Sequence, residues 1–310
     1  INLPEYKELN QQQEPGEDLL KALVKGVSTR DYKEVFHHIA QGLGLSDSQV
    51  SEAFKQESSQ KLKEFQHRDL SQHDFVGLMI DGKYLAREQM IIVLGITSEG
   101  FKIPIDFIQA TTEHHRPIHE LLANLKERGI SFEEGILISI DGAKGLRKAV
   151  EDVFGHSAFI QRCQWHKREN VISYLPEKYQ DHYKRRIQNA YQKEAYSEAK
   201  QELEAISEEL KTINKSAERS LWEGLEETLT LHRLEIPMEL RSTFATTNCI
   251  ENLNSQLGKY LGKVKRWRNS DQRERWVAAG LMEIETKMRR ISNYKKLSEL
   301  KLIMKNNLHK

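Results

Sequence analysis

Two aspartates occupy matching positions in two apolar segments of the chain. Asp81 lies within "FVGLMIDGKYLAREQMIIVLGI" and Asp141 within "GILISIDGAKGLRKAV", and each stands between an isoleucine and a glycine at the end of an apolar run. The glycine would let the chain turn away at once, so we expect each carboxylate at the end of a buried strand, on the rim of a sheet. If the two strands are neighbours, the carboxylates lie side by side.

Adjacent carboxylates in a partly buried site repel each other, and a raised pKa or a divalent cation relieves that repulsion. Oxygen ligands suit Mg²⁺ or Mn²⁺, and two such ions can activate a nucleophile and stabilise the leaving oxygen of a phosphoryl transfer. Asp81 and Asp141 are therefore candidate ligands of a pair of ions. The alternative is that each aspartate only caps the turn or helix that follows it.

Glu251, in the segment "TTNCIENLN", is the candidate third ligand. Asn248 and Glu251 also have the spacing of a capping box, which would explain the glutamate without any metal. Asn254 lies one turn further along the same predicted helix. It belongs to a small polar strip that a substrate backbone could approach, so we interpret it as a DNA contact.

The segment "QRCQWHKREN" contains Cys163 and His166 in a C-x-x-H spacing. The chain has one other cysteine, so a closed four-ligand zinc site is not expected. We expect this pair to support the acidic site at the edge of the sheet, with His166 bonded to a catalytic carboxylate or to a scissile phosphate. Lys167 and Arg168 are candidate DNA contacts. A packing role for Cys163 and His166 is the alternative.

The order of apolar and amphipathic segments predicts the sheet that positions these residues. The expected strands are 75–81, 90–97, 101–109, 136–141 and 157–162, with helices before the fourth and the fifth. Short connections predict that the first two or three strands are antiparallel, whereas helical crossovers predict that the later ones are parallel. This order indicates an α/β fold with a mixed sheet of the ribonuclease H-like kind.

Helical segments are expected on both sides of the strand region. Residues 17–57 show helical periodicity around the break "QGLGLS", and Ser46 with Gln49 has the pattern of a capping box that begins a second helix. This N-terminal unit resembles a DNA-binding helix-turn-helix, although plain helical hairpins share the pattern. Residues 177–235 contain 23 charged residues, one Gly and no Pro, which predicts a bundle of long helices inserted into the core.

Basic residues concentrate at the C-terminal end. The chain has a formal net charge of +1, but residues 256–310 contain 15 Lys and Arg against 5 Asp and Glu, a net of +10. A basic end on an otherwise acidic chain indicates a nucleic-acid partner, and a solvated helical surface is the alternative. The candidate phosphate contacts flank Trp267 and are Lys263, Lys265, Arg266 and Arg268.

Composition limits the class of protein. In a chain of 310 residues, a hydrophobic fraction of 38% is enough to build a large core. No run of about 18 apolar residues and no signal-peptide pattern is present, so we expect a cytoplasmic protein without a membrane partner. Two cysteines fit a reducing compartment. Because the chain begins with Ile and not with Met, we also expect further residues upstream.

Several of these motifs together resemble the Mutator-type DDE transposases of bacterial insertion sequences. The catalytic segments "LMIDGK", "SIDGAKGLRKAV", "QRCQWHKREN" and "TTNCIENLN" carry the resemblance. The N-terminal segments "KGVSTRDY" and "GLSDSQVS" and the C-terminal segment "WRNSDQRERWVAAGLMEIE" extend it over nearly the whole chain.

The resemblance implies a ribonuclease H-like core interrupted by an all-α insertion, with Asp81, Asp141 and Glu251 as an acidic triad that binds two Mg²⁺ or Mn²⁺ ions. It further implies hydrolysis at transposon ends, attack of the freed 3′-hydroxyls on target DNA, and a homodimer or larger assembly on paired ends. Trp222 of the insertion would stack on a flipped or unpaired base; a core position is the alternative.

The expected domains are an N-terminal helical DNA-binding region (1–70), a first part of the catalytic core (71–172), the all-α insertion (173–240), and the rest of the core with the basic helices (241–310). Two other functions stay open at this point. One is a catalytically silent DNA-binding protein, and the other is a ribonuclease H-like nuclease that cleaves without joining.

Overall fold

The computed structural model describes residues 46–110, 115–262, 264, 267 and 269–308. The helices predicted before residue 46, which include the first helix of the proposed helix-turn-helix, lie outside the described residues. The capping box at Ser46 and Gln49 is confirmed. The Gln49 N–H donates to the Ser46 hydroxyl at 3.3 Å, and the Ser46 N–H donates to the Gln49 side chain at 2.8 Å. This cap begins helix α1 (Asp47–Gln66).

A five-stranded mixed sheet carries the candidate aspartates, as the sequence predicted. Its strands are β1 (Phe75–Leu85), β2 (Glu88–Thr97), β3 (Lys102–Ala110), β4 (Ile136–Ile140) and β5 (Ala158–Arg162), in the order β3-β2-β1-β4-β5. β2 pairs with β3 antiparallel, whereas β4 pairs in parallel with both β1 and β5. Between β1 and β2 the chain reverses through Ala86 and Arg87, whose φ angles of 52° and 69° are those of a tight hairpin turn.

Two helices connect the parallel strands and cover the sheet. They are α2 (His115–Glu127) and α3 (Lys144–Phe154), the crossovers that parallel neighbours require. Their buried faces join the strands in one core cluster, and each fully buried side chain of this size contributes roughly 1.5–3 kcal/mol. The buried helix residues are Ile118, Leu121, Leu122, Leu125, Leu146, Ala149, Val150 and Phe154.

The expected insertion is helical and has a hydrophobic core of its own. Its first helices are long, but the chain breaks at Gly224, with a left-handed φ of 69°, and again at Leu229, so that only four-residue helices follow Glu223 within residues 177–235. The prediction of long helices throughout was therefore wrong for this second half. The helices that begin after β5 are α4 (Gln164–Ser173), α5 (Glu177–Tyr191), α6 (Tyr196–Ile213), α7 (Lys215–Trp222), α8 (Leu225–Thr228) and α9 (Thr230–Arg233).

Buried hydrogen bonds attach the end of the insertion to strand β5. The Gln161 side chain donates to the Thr228 carbonyl at 2.9 Å and accepts from the Leu231 N–H at 3.1 Å. The Thr230 hydroxyl donates to the Ile160 carbonyl at 2.6 Å. The insertion is thus bonded to the strand that immediately precedes the C-x-x-H segment.

The described residues form two compact units. The larger unit comprises residues 69–84, 88–252 and 288–308 and contains the sheet and the insertion. The smaller unit comprises the described residues up to 68 together with 85–87 and 253–287; in it the Phe54 and Trp276 rings pack with centroids 5.4 Å apart. The remaining helices are α10 (Met238–Phe244), α11 (Asn248–Leu261), α12 (Ser270–Glu285) and α13 (Leu297–Asn307).

No helix among the described residues combines the length and the apolar character needed to span a bilayer.

Two glycines allow a test of the packing. A Cβ at Gly95 of β2 would lie 2.6 Å from the Ile105 side chain and 2.7 Å from the Phe75 ring, whereas a Cβ at Gly258 of α11 would meet Leu85 at an ordinary 3.6 Å. We expect Gly95→Ala to lower the free energy of unfolding by about 1–3 kcal/mol through overpacking. The control Gly258→Ala should raise it by about 0.5–1 kcal/mol. Urea denaturation of both variants measures this, and equal effects of the same sign would contradict the packing described.

Candidate active site

Strands β1 and β4 bring Asp81 and Asp141 to the same edge of the sheet. Ile80 pairs with Ile140 in parallel register, so the aspartates that follow lie at the same level of strands about 4.8 Å apart. Asp81 is buried and Asp141 is half-buried. The prediction that the two carboxylates lie side by side is supported by this register.

The expectation that a glycine lets the chain turn away after each aspartate is correct for Gly142 and wrong for Gly82. β1 continues to Leu85 beside β2, so Asp81 lies inside a strand and the chain does not turn away at Gly82. At Gly142 the chain does turn, with φ of 105°, and a Cβ there would lie 2.5 Å from the guanidinium carbon of Arg162. Gly142 is thus required by both backbone conformation and space.

Asp141 also has a structural role. Its carboxylate accepts a hydrogen bond from the Ala143 N–H at 3.0 Å, which closes the turn before α3. No side chain caps α3 itself. The capping alternative therefore describes part of what Asp141 does, and this turn fixes the carboxylate that faces Asp81.

Glu251 lies in the first turn of α11, and its carboxylate accepts a hydrogen bond from the Thr247 hydroxyl at 2.8 Å. The capping-box alternative was wrong. A capping box joins the residue before the helix to the third residue of the helix. Here the helix begins at Asn248, so Asn248 is its first residue and Glu251 is its fourth. The partner of Glu251 is the residue one helical turn before it.

The C-x-x-H segment begins at the end of β5 and lies against Glu251. The Cys163 N–H donates to the Ile140 carbonyl at 2.7 Å, and the Cys163 sulfur accepts the His166 N–H at 3.5 Å as the cap of α4. The His166 Nε2 lies 4.0 Å from a Glu251 oxygen. The expectation that this pair supports the acidic residues agrees with its position.

The Thr247 hydroxyl connects this group. In addition to Glu251, it lies 3.4 Å from the Cys163 sulfur and 3.4 Å from Nδ1 of His166. The shortest contact is the one to Glu251, so the proton is placed there, and the oxygen then accepts from the ring N–H. Thr247 thus links the imidazole to the carboxylate.

Burial and like charge set the electrostatics of the site. Burial, followed by the negative charge of Asp141, raises the pKa of Asp81 to about 6; Glu251 adds to the rise, while His166 and Lys83 oppose it. The hydrogen bond with Cys163, more than the nearby carboxylates, raises the pKa of His166 to about 9. Burial alone would raise the pKa of the Cys163 thiol, but the hydrogen bonds from His166 outweigh it and lower that pKa.

Two predicted DNA contacts of the C-x-x-H segment are engaged inside the protein. Lys167 is 1% exposed, and its ammonium donates to the carbonyls of Ser220 and Glu223 at 2.5 Å each. Burial, followed by the charge of Arg162, lowers the pKa of Lys167 to about 8. Arg168 is largely buried as well, and it donates to Glu169 and Gln188. Both cations are thus hydrogen-bonded to residues of the insertion.

The other predicted DNA contacts differ in position. Asn254 is 2% exposed, which removes it from any surface that DNA could reach, whereas Trp222 at the end of α7 is 44% exposed. The core alternative for Trp222 was therefore wrong. The basic residues around Trp267 lie outside the described residues: Lys263, Lys265, Arg266 and Arg268.

Comparison with known proteins decides the family. Residues 5–290 match the model described as "Transposase, Mutator family". The chain belongs to the Mutator family of transposases. It is 26% identical over 291 residues to the transposase for insertion sequence element ISRM5 of Rhizobium meliloti (strain 1021), an alignment covering 91% of this chain and 71% of that protein.

Two further relatives are named in the same way. The transposase for insertion sequence element IS905 of Lactococcus lactis subsp. lactis (strain IL1403) is 27% identical over 268 residues, 84% of this chain and 66% of the relative. The transposase for insertion sequence element IS6120 of Mycolicibacterium smegmatis is 28% identical over 234 residues, 73% of this chain and 71% of the relative. The family resemblance inferred from the motifs is confirmed.

Two residues of this Mutator-family site were missed in the sequence. Thr247 stands four positions before Glu251, a spacing that places both on one face at the start of a helix, and this spacing was the available signal. Trp165 precedes His166, is 42% exposed, and packs edge-on against the His166 ring at 4.8 Å. Its exposure could not be inferred, because a tryptophan in a helical segment is usually core.

Asp81→Asn tests the electrostatic account. Folding raises the pKa of Asp81 from 3.8 to about 6, so ionising this carboxyl costs more free energy in the folded chain than in the unfolded chain. The folded chain is therefore destabilised as the pH rises from about 4 to above 6. In EDTA at pH 7.5 we expect the asparagine variant to be more stable than the wild type, by up to about 3 kcal/mol. The difference should fall as the pH drops below 6 and vanish near 4. Thermal unfolding across this range measures it; a less stable variant at pH 7.5 would contradict the account.

A double-mutant cycle tests the Thr247–Glu251 hydrogen bond. We expect Thr247→Val and Glu251→Ala to show a coupling of about 1 kcal/mol in the free energy of unfolding, because each removes the other's partner. Thr247→Ser keeps the hydroxyl and is the control that should retain the coupling. A coupling energy of zero would contradict the hydrogen bond between Thr247 and Glu251.

Proposed function

We propose that this chain is a DDE transposase that cleaves DNA at transposon ends and joins the freed 3′-hydroxyls to target DNA. One observation carries the proposal: strands β1 and β4 bring Asp81 and Asp141 to one level of the sheet in a chain of a transposase family. The charges of Asp141 and Glu251, which come from separate segments, both act on buried Asp81. The names of the aligned relatives agree with this role.

The sheet supports a ribonuclease H-like core for this chemistry. Antiparallel strands are followed by parallel strands reached through helices, which is the element order that led to this expectation. The insertion separates Asp141 from Glu251 along the chain. We keep the proposed domains 1–70, 71–172, 173–240 and 241–310, with the N-terminal helices as the DNA-binding helix-turn-helix.

The donor set fits divalent cations. Three carboxylates supply hard oxygen ligands. Burial, followed by the charge of Asp141, raises the pKa of Asp81, and a bound cation would relieve both effects. Asp81 and Asp141 would hold two Mg²⁺ or Mn²⁺ ions, and Glu251 would complete the shell of one. When bound, such a pair of ions supplies activation of the attacking hydroxyl and stabilisation of the leaving oxygen.

The neighbouring residues orient the site and meet the phosphate. Thr247 fixes the direction of the Glu251 carboxylate through its 2.8 Å hydrogen bond. His166 carries a positive charge at neutral pH, because its pKa is raised to about 9, and it is partly exposed beside Glu251. It is therefore suited to contact the negative charge of a scissile phosphate.

DNA would also contact residues outside the acidic site. The exposed indole of Trp222 supports a stacking role on an unpaired base, a contact that is worth roughly 1–3 kcal/mol per base. The basic segment of Lys263, Lys265, Arg266 and Arg268 would contact phosphates and make binding salt-sensitive. Lys167 and Asn254 are not retained as DNA contacts because they are buried. Arg168 is not retained because its half-buried side chain is bonded to Glu169 and Gln188. Two or more copies would act on paired ends.

Nicking of a supercoiled plasmid that carries the ends of the element tests the proposal. We expect Asp81→Asn, Asp141→Asn and Glu251→Gln each to lower Mn²⁺-dependent nicking at least about 1000-fold, since each removes a ligand of the ions. Filter binding to the same DNA should change less than about threefold, because the acids hold cations and not phosphates.

Asp152→Asn is the matched control, since Asp152 is a surface acid of α3 that pairs with His115 outside the site. Its nicking should stay within about twofold of wild type. Nicking that persists in any triad variant would remove that residue from the site. Nicking without joined product would favour a nuclease without joining activity, and binding without nicking in the wild type would favour a silent DNA-binding protein.

A further inference from the structure

Cys163, His166 and Glu251 form a second group of potential metal ligands beside the aspartates. The cysteine sulfur, a ring nitrogen of the histidine and a carboxylate oxygen all lie within 4.8 Å of one another. The sequence alone offered one other cysteine and no second paired motif, so a closed zinc site was not expected. Folding supplies the third ligand, because α11 places Glu251 against the C-x-x-H segment.

The chemistry of these donors selects a different cation from the one the aspartates would hold. A thiolate and an imidazole are ligands for Zn²⁺ and similar divalent transition metals, whereas Mg²⁺ prefers oxygen ligands alone. Three protein ligands with a fourth position left for water is a common arrangement for zinc. His166 and Glu251 are partly exposed, with 29% and 37% of their side chains accessible, which gives an ion a way in.

The hydrogen bonds indicate which atom of His166 would coordinate. Nδ1 faces the Thr247 hydroxyl at 3.4 Å, while Nε2 faces Glu251 at 4.0 Å. A metal-bound histidine usually has its other ring N–H bonded to an oxygen acceptor, which fixes the ring. Thr247 provides that acceptor, so Nε2 is the coordinating atom.

The distances require only small movements. Zinc bonds of about 2.0–2.3 Å at tetrahedral angles place ligand atoms roughly 3.3–3.7 Å apart, compared with the 4.8 Å limit observed here. The backbone that carries Cys163 is fixed by its N–H bond to Ile140 (2.7 Å) and by the bond from the Gln164 N–H to Ala245 (2.9 Å). Side-chain rotation of His166 and Glu251 closes the remaining gap.

We propose that Cys163, His166 and Glu251 bind one Zn²⁺ ion, and that this ion inhibits the chain by engaging Glu251. Binding displaces the Cys163 thiol proton to solvent, together with the proton at Nε2 of His166. Since one carboxylate serves both groups, zinc competes with the ions of the aspartate pair. The inhibitory part rests on the proposed function, whereas zinc binding does not.

Direct binding tests the site without any need for activity. We expect equilibrium dialysis of the whole chain with micromolar Zn²⁺ to retain about one equivalent after excess Mg²⁺ is added. Co²⁺ in place of Zn²⁺ should give a thiolate-to-cobalt charge-transfer absorption. Cys163→Ser should abolish this absorption and weaken Zn²⁺ binding by more than about 100-fold.

Two further variants complete the binding test. Cys249→Ser is the matched control, because Cys249 is the other cysteine of the chain, and it should retain the cobalt absorption. His166→Ala changes a partly exposed side chain, so it should weaken binding without the folding risk of a substitution at buried Cys163. Circular dichroism of each variant checks the fold. Zinc binding that survives both Cys163→Ser and His166→Ala, or no retained zinc in the wild type, would overturn the proposal.

A nicking assay tests the inhibition separately. With Mn²⁺ as the activating ion, Zn²⁺ should inhibit the wild-type chain, and the concentration for half-inhibition should rise as Mn²⁺ is raised. Inhibition that is independent of the Mn²⁺ concentration would contradict competition at Glu251. Absence of any nicking would count against the proposed function and leave the binding result intact.

Discussion

Burial of Asp81 beside two further carboxylates is the constraint on which the site depends. Parallel pairing of β1 with β4 fixes Asp81 and Asp141 at one level of the sheet, and α11 adds Glu251. The cost of this arrangement is visible in the pKa of Asp81, which burial and the neighbouring charges raise to about 6. A fold that maintains this arrangement is prepared to bind cations, since a bound cation relieves both effects.

The residues around the carboxylates limit that cost without removing it. His166 places a positive charge beside Glu251, and Thr247 bonds to the carboxylate directly. Behind them, Lys167 and Arg162 are buried cations whose donors bond to backbone carbonyls of the insertion. The insertion is therefore bonded to the segment that carries the histidine, and its exposed Trp222 comes directly before the Glu223 carbonyl that these cations share.

The sequence predicted those parts of the fold that depend on local pattern. The apolar runs located all five strands and the two crossover helices, and the Ile-Asp-Gly repeats identified both aspartates.

The sequence did not predict those features that depend on tertiary contacts. β1 runs past Asp81 because β2 continues beside it, and the Gly142 turn depends on the Arg162 side chain as well as on φ. Lys167 was expected to contact DNA, but its ammonium is buried against two carbonyls, which no local pattern reveals. The spacing of Thr247 from Glu251 was visible in the sequence, but the contacts of Thr247 with Cys163 and His166 depend on the fold.

The central claim is that Asp81, Asp141 and Glu251 form one cation site at the edge of the sheet. Anomalous diffraction from crystals of the whole chain grown with Mn²⁺ tests it most directly. The account predicts two manganese peaks about 3.5–4 Å apart between these carboxylates, and their loss in crystals of Asp81→Asn. Manganese bound elsewhere on the protein, with the three carboxylates left without an ion, would contradict it.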